Sequence, residues 1–396
     1  MNSRVAGPTQ GAILLAMSCL PILGGLVIAP VLPAMEANFA DTPGAHFLVP
    51  LTLTIPSLMI AAISPVASGL AARFGRRPLL LAALFLYAAM GLLPLIMNSL
   101  MLIVASRIFL GAAEAIVITI STALIGDYFA ARTRERYLSL QVMLTSVSAV
   151  IFLLIGGWMG QHGWRVPFSV YAVSLAMVPF VMIGLWEPQP RRTTSSTKSD
   201  DSFPWAAMLP FYCVAFCACM CFNLLSVTLS YVVREFGTTS SFVMGQVNAL
   251  NSAAIGFGTI FSVFFSHSRT RMCAGMLLAA AGLLVVASSS DLLMLSLGTA
   301  MSGIGDGIFF AHLLSGSMRI LDVDQRTRGT GIYMASFFLA NVVGPMGAIG
   351  IGHGPLGLKG AIGLFGAGLG LLGVAAWFLL ARIFSANLDG EEAFRK

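Results

Sequence analysis

Apolar stretches long enough to cross a bilayer follow one another along almost the whole 396-residue chain. A helix needs about 20 mostly apolar residues to span the hydrocarbon core. Twelve such stretches are legible. They cover about 10–34, 46–71, 78–97, 101–128, 138–160 and 165–186, then 205–231, 241–266, 272–289, 292–320, 329–350 and 357–384. Only 10% of the residues are charged and 57% are hydrophobic, whereas soluble domains carry roughly a quarter charged residues. No soluble core could bury this much apolar sequence, so lipid must be the solvent. Lipid in turn demands that each span satisfy its own backbone hydrogen bonds, as a helix does. The sequence predicts an all-α integral membrane protein of twelve transmembrane helices.

The one long polar segment, Glu187 to Pro204, divides these spans into two sets of six. Its Pro, Ser, Thr and charged residues bury no apolar surface and read as a linker. The expected organisation is a six-helix bundle over 1–186, a linker over 187–204 and a second six-helix bundle over 205–396. The net charge of +6 is not gathered into a patch that would fit nucleic acid. It sits in alternate loops: Arg73, Arg76 and Arg77; Arg132, Arg134 and Arg136; Arg191, Arg192 and Lys198; Arg269 and Arg271; Arg319, Arg326 and Arg328. The opposite loops hold only Arg165, Arg234 and Lys359. Positive charge is retained in the cytoplasm, which places both termini and the linker there, in a cytoplasmic (inner) membrane. The six cysteines lie in or beside spans, which is no disulfide framework. Arg4 precedes a first span too long for a signal-peptide core, so that span is read as a retained helix.

Two carboxylates interrupt this apolar pattern, and an internal repeat relates them. Glu114 lies in the fourth span and Asp306, 192 residues on, lies in the tenth. The same offset maps Gly111 onto Gly303, and Arg134 and Arg136 onto Arg326 and Arg328. An ionisable group at bilayer depth is expensive and marks a functional site by default. A symmetric pair suggests two pseudo-symmetric halves around a shared site. Arg107 lies seven residues before Glu114, nearly on the same helical face and about 10 Å along the axis. The equivalent residue before Asp306 is Thr299, so one backbone position has two electrostatic settings. The expectation is that Asp306 carries the proton, and that Glu114 meets a cationic or polar group of the substrate.

Several motifs carry a family resemblance. After the second span the chain reads Ser68-Gly69-Leu70-Ala71-Ala72-Arg73-Phe74-Gly75-Arg76-Arg77. It is similar to the Gly-x-Leu-Ala-Asp-Arg-x-Gly-Arg-Arg signature of the major facilitator superfamily, departing at Ser68 and Ala72. The fourth span has the family's Arg followed four residues later by Gly, as Arg107 and Gly111. Pro30-Val31-Leu32-Pro33 resembles a motif of drug and sugar efflux members, and Trp164-Arg165 with Pro167-Phe168 is common across the superfamily. The Gly-Pro-x-x-Gly-Gly of drug/proton antiporters survives in the fifth span only as Gly156-Gly157. A Gly-Pro pair stands instead in the eleventh span, at Gly344-Pro345.

The resemblance implies proton-coupled efflux of a small, partly apolar organic molecule by alternating access, the drug/proton antiporter branch being the nearest pattern. It implies that Arg73, Gly75, Arg76 and Arg77 form a cytoplasmic gate and that Arg107 takes part in proton coupling. An uncharged residue at position 72 implies a gate latch that is weaker or differently built. Gly344 and Pro345 are the expected helix hinge. Asn223, Asn248, Asn251 and Asn341 are candidate polar residues of the cavity, with helix bridging an equal reading for asparagine in a span. Proton-coupled import of a nutrient or organic acid is the alternative, favoured by the missing Gly-Pro of the fifth span. Cys213, Cys217 and Cys221 share a face at i, i+4 and i+8, and soft thiolates bind copper(I) or zinc. A soft-metal transporter therefore stays as a third reading, although free cysteine packs as a small hydrophobe. No metal site, cofactor, nucleic-acid partner or enzyme activity is expected. The protein is expected to act as a monomer on a small molecule and protons.

Overall fold

The computed structural model describes residues 6–187, 205–262, 268–320 and 325–394. The linker beyond Glu187 lies outside these residues, as do the side chains of His312, Arg269, Arg271, Arg319, Arg326 and Arg328. Helix accounts for every regular element described. The order is α1 (Pro8–Leu26), α2 (Leu32–Asn38), α3 (Ala45–Phe74), α4 (Arg76–Leu92), α5 (Leu100–Tyr128), α6 (Ala131–Gly160) and α7 (Val173–Gly184). Then come α8 (Trp205–Phe222), α9 (Leu224–Glu235), α10 (Ser241–Phe261), α11 (Ser268–Ala287), α12 (Leu292–Ile320), α13 (Arg326–Gly352) and α14 (Gly357–Phe394). Ten spans among the described residues are long and apolar enough to cross a membrane, and Met272–Ala287 is a shorter apolar helix. With α10, whose polar Gln246, Asn248 and Asn251 lower its hydropathy, these make the twelve-helix membrane fold.

Two spans are broken, and the repeat relates the breaks. The first span stops at Leu26, passes through a short 3-10 turn at Ala29–Val31 and resumes as α2. The seventh stops at Phe222 and resumes at Leu224. Adding the 192-residue offset to Val31 gives Asn223, the break residue itself. Pro30 and Pro33 explain the first break, because proline lacks a backbone N–H and clashes with the preceding turn. The seventh span has no proline at its break.

The chain forms two compact units. One contains residues 1–196 with 229–249, and the other contains 197–228 with 250–396. Inside the first unit, Gly111 of α5 sits where a Cβ would meet the Pro56 backbone of α3. Gly157 of α6 sits against Ser241 and Gly245 of α10, where a Cβ would meet the Ser241 carbonyl oxygen at 2.8 Å. In the second unit the corresponding Gly303 of α12 lies against Asn251 and Ala254 of α10. There α11 and α12 run antiparallel with paired glycines. Gly282 opposes Gly298 and Ser302, while Gly275 opposes Gly305 and Phe309. Small residues let helix backbones touch, which is how packing holds helices together in lipid.

Candidate functional site

Glu114 is 1% exposed and points from α5 onto the α1 backbone. A Cβ on Gly24 would occupy the place of its Oε1, with the Tyr87 hydroxyl 3.3 Å away. The absence of a side chain at Gly24 therefore makes room for the carboxylate. Two tyrosines fix the surrounding backbone. Tyr87 of α4 donates to the Leu20 carbonyl at 2.7 Å, and Tyr171, in the turn before α7, donates to the Gly24 carbonyl at 2.7 Å. Their rings lie 5.5 Å apart.

Arg107 shares this buried layer and is fully enclosed. Its guanidinium donates to the Tyr171 hydroxyl at 3.1 Å, the Met90 carbonyl at 3.0 Å and the Gly91 carbonyl at 3.4 Å. It also stands 5.2 Å from the Phe168 ring centroid and 5.1 Å from that of Tyr171. The same-face relation with Glu114 holds, but these groups take up the guanidinium. Tyr171 forms the polar link, accepting from Arg107 and donating to the carbonyl of Gly24, against which Glu114 packs. Glu114 Oε1 has no hydrogen-bond partner.

Asp306 is 1% exposed in the second unit, and its Oδ1 also lacks a partner. Seven residues before it, where α5 carries Arg107, α12 carries Thr299. The Thr299 hydroxyl, the Ser302 hydroxyl and Asn251 Oδ1 are buried and unpartnered too. Asn251 reaches α12 at Gly303, where a Cβ would stand 3.1 Å from its Oδ1. Asp306 is near enough to act electrostatically on Cys219 and Cys221 of α8.

The other expected site residues are dispersed. Around the basic loop, Gly75 has φ +87° and separates α3 from α4. The Glu187 carboxylate accepts from the backbone N–H of Arg76 at 2.8 Å and of Arg77 at 3.0 Å, so an acid does sit at a helix N-terminus here. Arg76 pairs with Asp127 at the end of α5, Arg77 donates to the Met182 carbonyl, and Arg73 lies 5.3 Å from the Phe74 ring centroid. At the eleventh span, α13 runs unbroken through Gly344 and Pro345, with Gly344 pressed on the Met220 carbonyl of α8. The asparagines separate: Asn223 marks the break in the seventh span, Asn251 faces α12, and Asn341 Oδ1 is unpartnered. Asn248 belongs to a chain, donating to the Ser230 hydroxyl at 3.0 Å, which donates to the Ala29 carbonyl at 2.8 Å.

The model of the Major Facilitator Superfamily matches residues 14–269 and again 211–395. The chain belongs to that superfamily. It is therefore a multi-pass member of a superfamily of membrane transporters. Among curated superfamily relatives, the multidrug resistance protein MdtH of Aeromonas salmonicida is 32% identical over 143 residues, 36% of this chain and 35% of that protein. The bacillibactin exporter of Bacillus subtilis is 28% identical over 39% of this chain and 40% of its own length. The class C tetracycline resistance protein of Escherichia coli is 30% identical over 49% and 50%. These alignments span at most half of each relative's length. The resemblance to the drug efflux branch is thus supported. Solved structures agree on the fold. A D-xylose-proton symporter superposes with TM-score 0.78 at 15% identity, covering 93% of this chain and 97% of that one. A bacterial homologue of the human lysosomal transporter Spinster, inward-facing, gives 0.76 at 15%, covering 96% and 98%.

Sequence reasoning missed Gly24, Tyr87, Tyr171, Asp127 and Glu187. Tyr87 and Tyr171 are two of only seven tyrosines, and both lie inside spans. Asp127 is a second acid near the end of the Glu114 span. Those were the available signals, but nothing local says that residues 147 positions apart, such as Tyr171 and Gly24, will meet.

Proposed function

We propose that this transporter exports a small, partly apolar organic molecule in exchange for protons, by alternating access. One observation carries the reading: Glu114 and Asp306 are buried carboxyl groups, each with an unpartnered oxygen, and among the described residues Arg107 lies in the layer of Glu114 while Thr299 takes the equivalent position before Asp306. An unpaired carboxylate charge deep in a protein costs several kcal/mol, and a proton is the smallest counter-ion that removes it. Asp306, among hydroxyl, amide and thiol groups, is the proton carrier. Glu114, in the layer ordered by Arg107, Tyr87 and Tyr171, is the partner of a cationic or polar substrate group. The names of the efflux relatives support the outward direction.

The moving parts are the halves 1–186 and 205–396, joined by 187–204. Arg73, Gly75, Arg76 and Arg77 form the gate on the cytoplasmic side, anchored by Glu187 and Asp127. The contacts of Ser230, Arg234 and Gly245 with the first and fifth spans close the opposite side. Arg234 contributes by donating to the Pro33 carbonyl at 3.0 Å. Gly344 and Pro345 act as a bending point of α13, and Asn223, Asn251 and Asn341 lend polar groups to the path. The protein works as a monomer in the cytoplasmic membrane with both termini inside.

The test is transport by reconstituted vesicles of both orientations under an imposed pH gradient, with cationic, neutral and anionic test compounds. Accumulation in inverted vesicles with an acidic lumen is the expected result. Accumulation confined to right-side-out vesicles with acid outside would replace export by proton-coupled import.

A further inference from the structure

A cleft of about 350 Å³ opens between α8 and α14, inside the second unit. Its walls are Leu364, Phe365, Leu369 and Leu372 of α14, facing Cys217, Met220 and Cys221 of α8. Gly368 completes it, and a Cβ there would meet nothing within 4 Å, so the glycine leaves the space open rather than serving helix contact. Gly366 and Gly373 of the same helix do serve contact, against α11. Three of the eight lining residues bring sulfur, and they cluster within one turn of one helix. Cys217 is solvent- or lipid-exposed, and the Cys221 thiol makes only a 3.6 Å contact with the Phe365 carbonyl. Neither thiol is in a disulfide. Leu209, Leu364 and Leu371, 56%, 51% and 73% exposed, lie on the same two helices, so an apolar molecule has a hydrocarbon-like approach.

Residues four apart on a helix are neighbours, with Cβ atoms about 5–6 Å apart. Two thiols at that spacing can close on one soft atom. A charged soft ion would lose its hydration in a cleft whose other walls are leucine and phenylalanine, whereas an organic derivative of a soft element would bury its carbon portion there. We propose that this cleft binds apolar compounds of thiophilic elements, with Cys217 and Cys221 as the paired donors and Met220 as a flanking thioether. An aryl-substituted trivalent arsenical is the type ligand. Binding is a condensation without redox change: R–As(OH)₂ meets two thiols, two As–S bonds form, two As–O bonds break, and the two thiol protons leave with the hydroxyls as two water molecules. The site uses neither Glu114 nor Asp306 as a donor, and its occupation is read by mass rather than by transport, so it can fail or hold independently of their proposed roles.

The test uses the full-length protein in lipid nanodiscs with phenylarsine oxide, read by intact mass after a monothiol wash. The expected result is one bridged phenylarsenic adduct per chain that resists the monothiol and is released by a dithiol. Cys217→Ser and Cys221→Ser should each weaken retention by about 100-fold, the loss expected when a two-point attachment becomes one-point. Cys219→Ser and Cys273→Ser should leave it unchanged. Gly368→Leu keeps both thiols and fills the space, so it should weaken phenyl adduct retention far more than that of a methyl arsenical. Retention in the Cys217→Ser/Cys221→Ser double variant, or a bridge mapped to Cys213 and Cys217, would overturn the proposal. So would equal retention of phenyl and methyl compounds in Gly368→Leu. Circular dichroism of each variant separates loss of the site from loss of the fold.

Discussion

Glu114 and Asp306 occupy equivalent backbone positions, yet their surroundings are built by opposite means. In the first unit, polar groups organise the layer: Arg107 is held by a tyrosine hydroxyl and two carbonyls, and two tyrosines bond to α1. In the second unit, backbone contact through glycines organises α10, α11 and α12, and the nearby hydroxyls and amide lack partners. One carboxyl therefore sits in a fixed polar scaffold. The other sits among groups whose hydrogen-bonding capacity is unspent. On the proposed function, the layer ordered by Arg107 and two tyrosines suits recognition of a fixed substrate group, and the layer without such a scaffold suits a proton that comes and goes.

The largest expected effect tests that division directly. Asp306→Asn should reduce transport driven by a pH gradient by about 100-fold, about 2.8 kcal/mol, while exchange of labelled for unlabelled substrate without a gradient persists. Glu114→Gln should keep the gradient response and lower the preference for cationic over neutral compounds about tenfold. The reverse assignment of these two outcomes would swap the roles, and full activity in both variants would remove them.

Stability should separate the two layers next. Arg107→Met should cost about 3 kcal/mol in thermal unfolding of the detergent-solubilised protein, since it removes the donor to the Tyr171 hydroxyl and to the Met90 and Gly91 carbonyls. Thr299→Val, at the equivalent position, should change stability by less than about 0.5 kcal/mol, because its hydroxyl has no bond to lose. Equal costs would mean that the layers do not differ as described. In the glycine-built layer, Gly305→Ala should cost about 1–3 kcal/mol, as its Cβ would run into the α11 backbone at Ala279 and Gly275. Gly256→Ala, whose Cβ would meet open space, is the matched control and should not destabilise. The smallest effect belongs to Glu187→Gln. A carboxylate at a helix N-terminus contributes roughly 0.3–1 kcal/mol, and because Glu187 is exposed, the lower end of that range is expected and should vanish at high salt.

Much of this was legible in the residues. Bilayer-length apolar runs set the helix count, and Arg73, Gly75, Arg76, Arg77, Arg107 and Gly111 carried the family. The carboxyls stood out because charge inside a span is rare. Less legible was what lies beside them. The missing acid at Ala72 implied a weaker or different latch, but only the fold brings Glu187 to the α4 N-terminus. Gly344-Pro345 drew the eye as a hinge, while the breaks in helix occur in the first and seventh spans. Asn248 looked like a cavity residue and is tied to Ser230 and, through it, to Ala29.

The division has a physical cause. Hydropathy, charge and helix periodicity are properties of consecutive residues, so the sequence by itself determined the solvent, the number of spans and the depth of Arg107, Glu114 and Asp306. A hydrogen-bond partner is a property of which helices touch. Tyr171 reaches Gly24, and Cys221 reaches Phe365, only because small residues let particular helices approach, and that choice belongs to the tertiary structure alone.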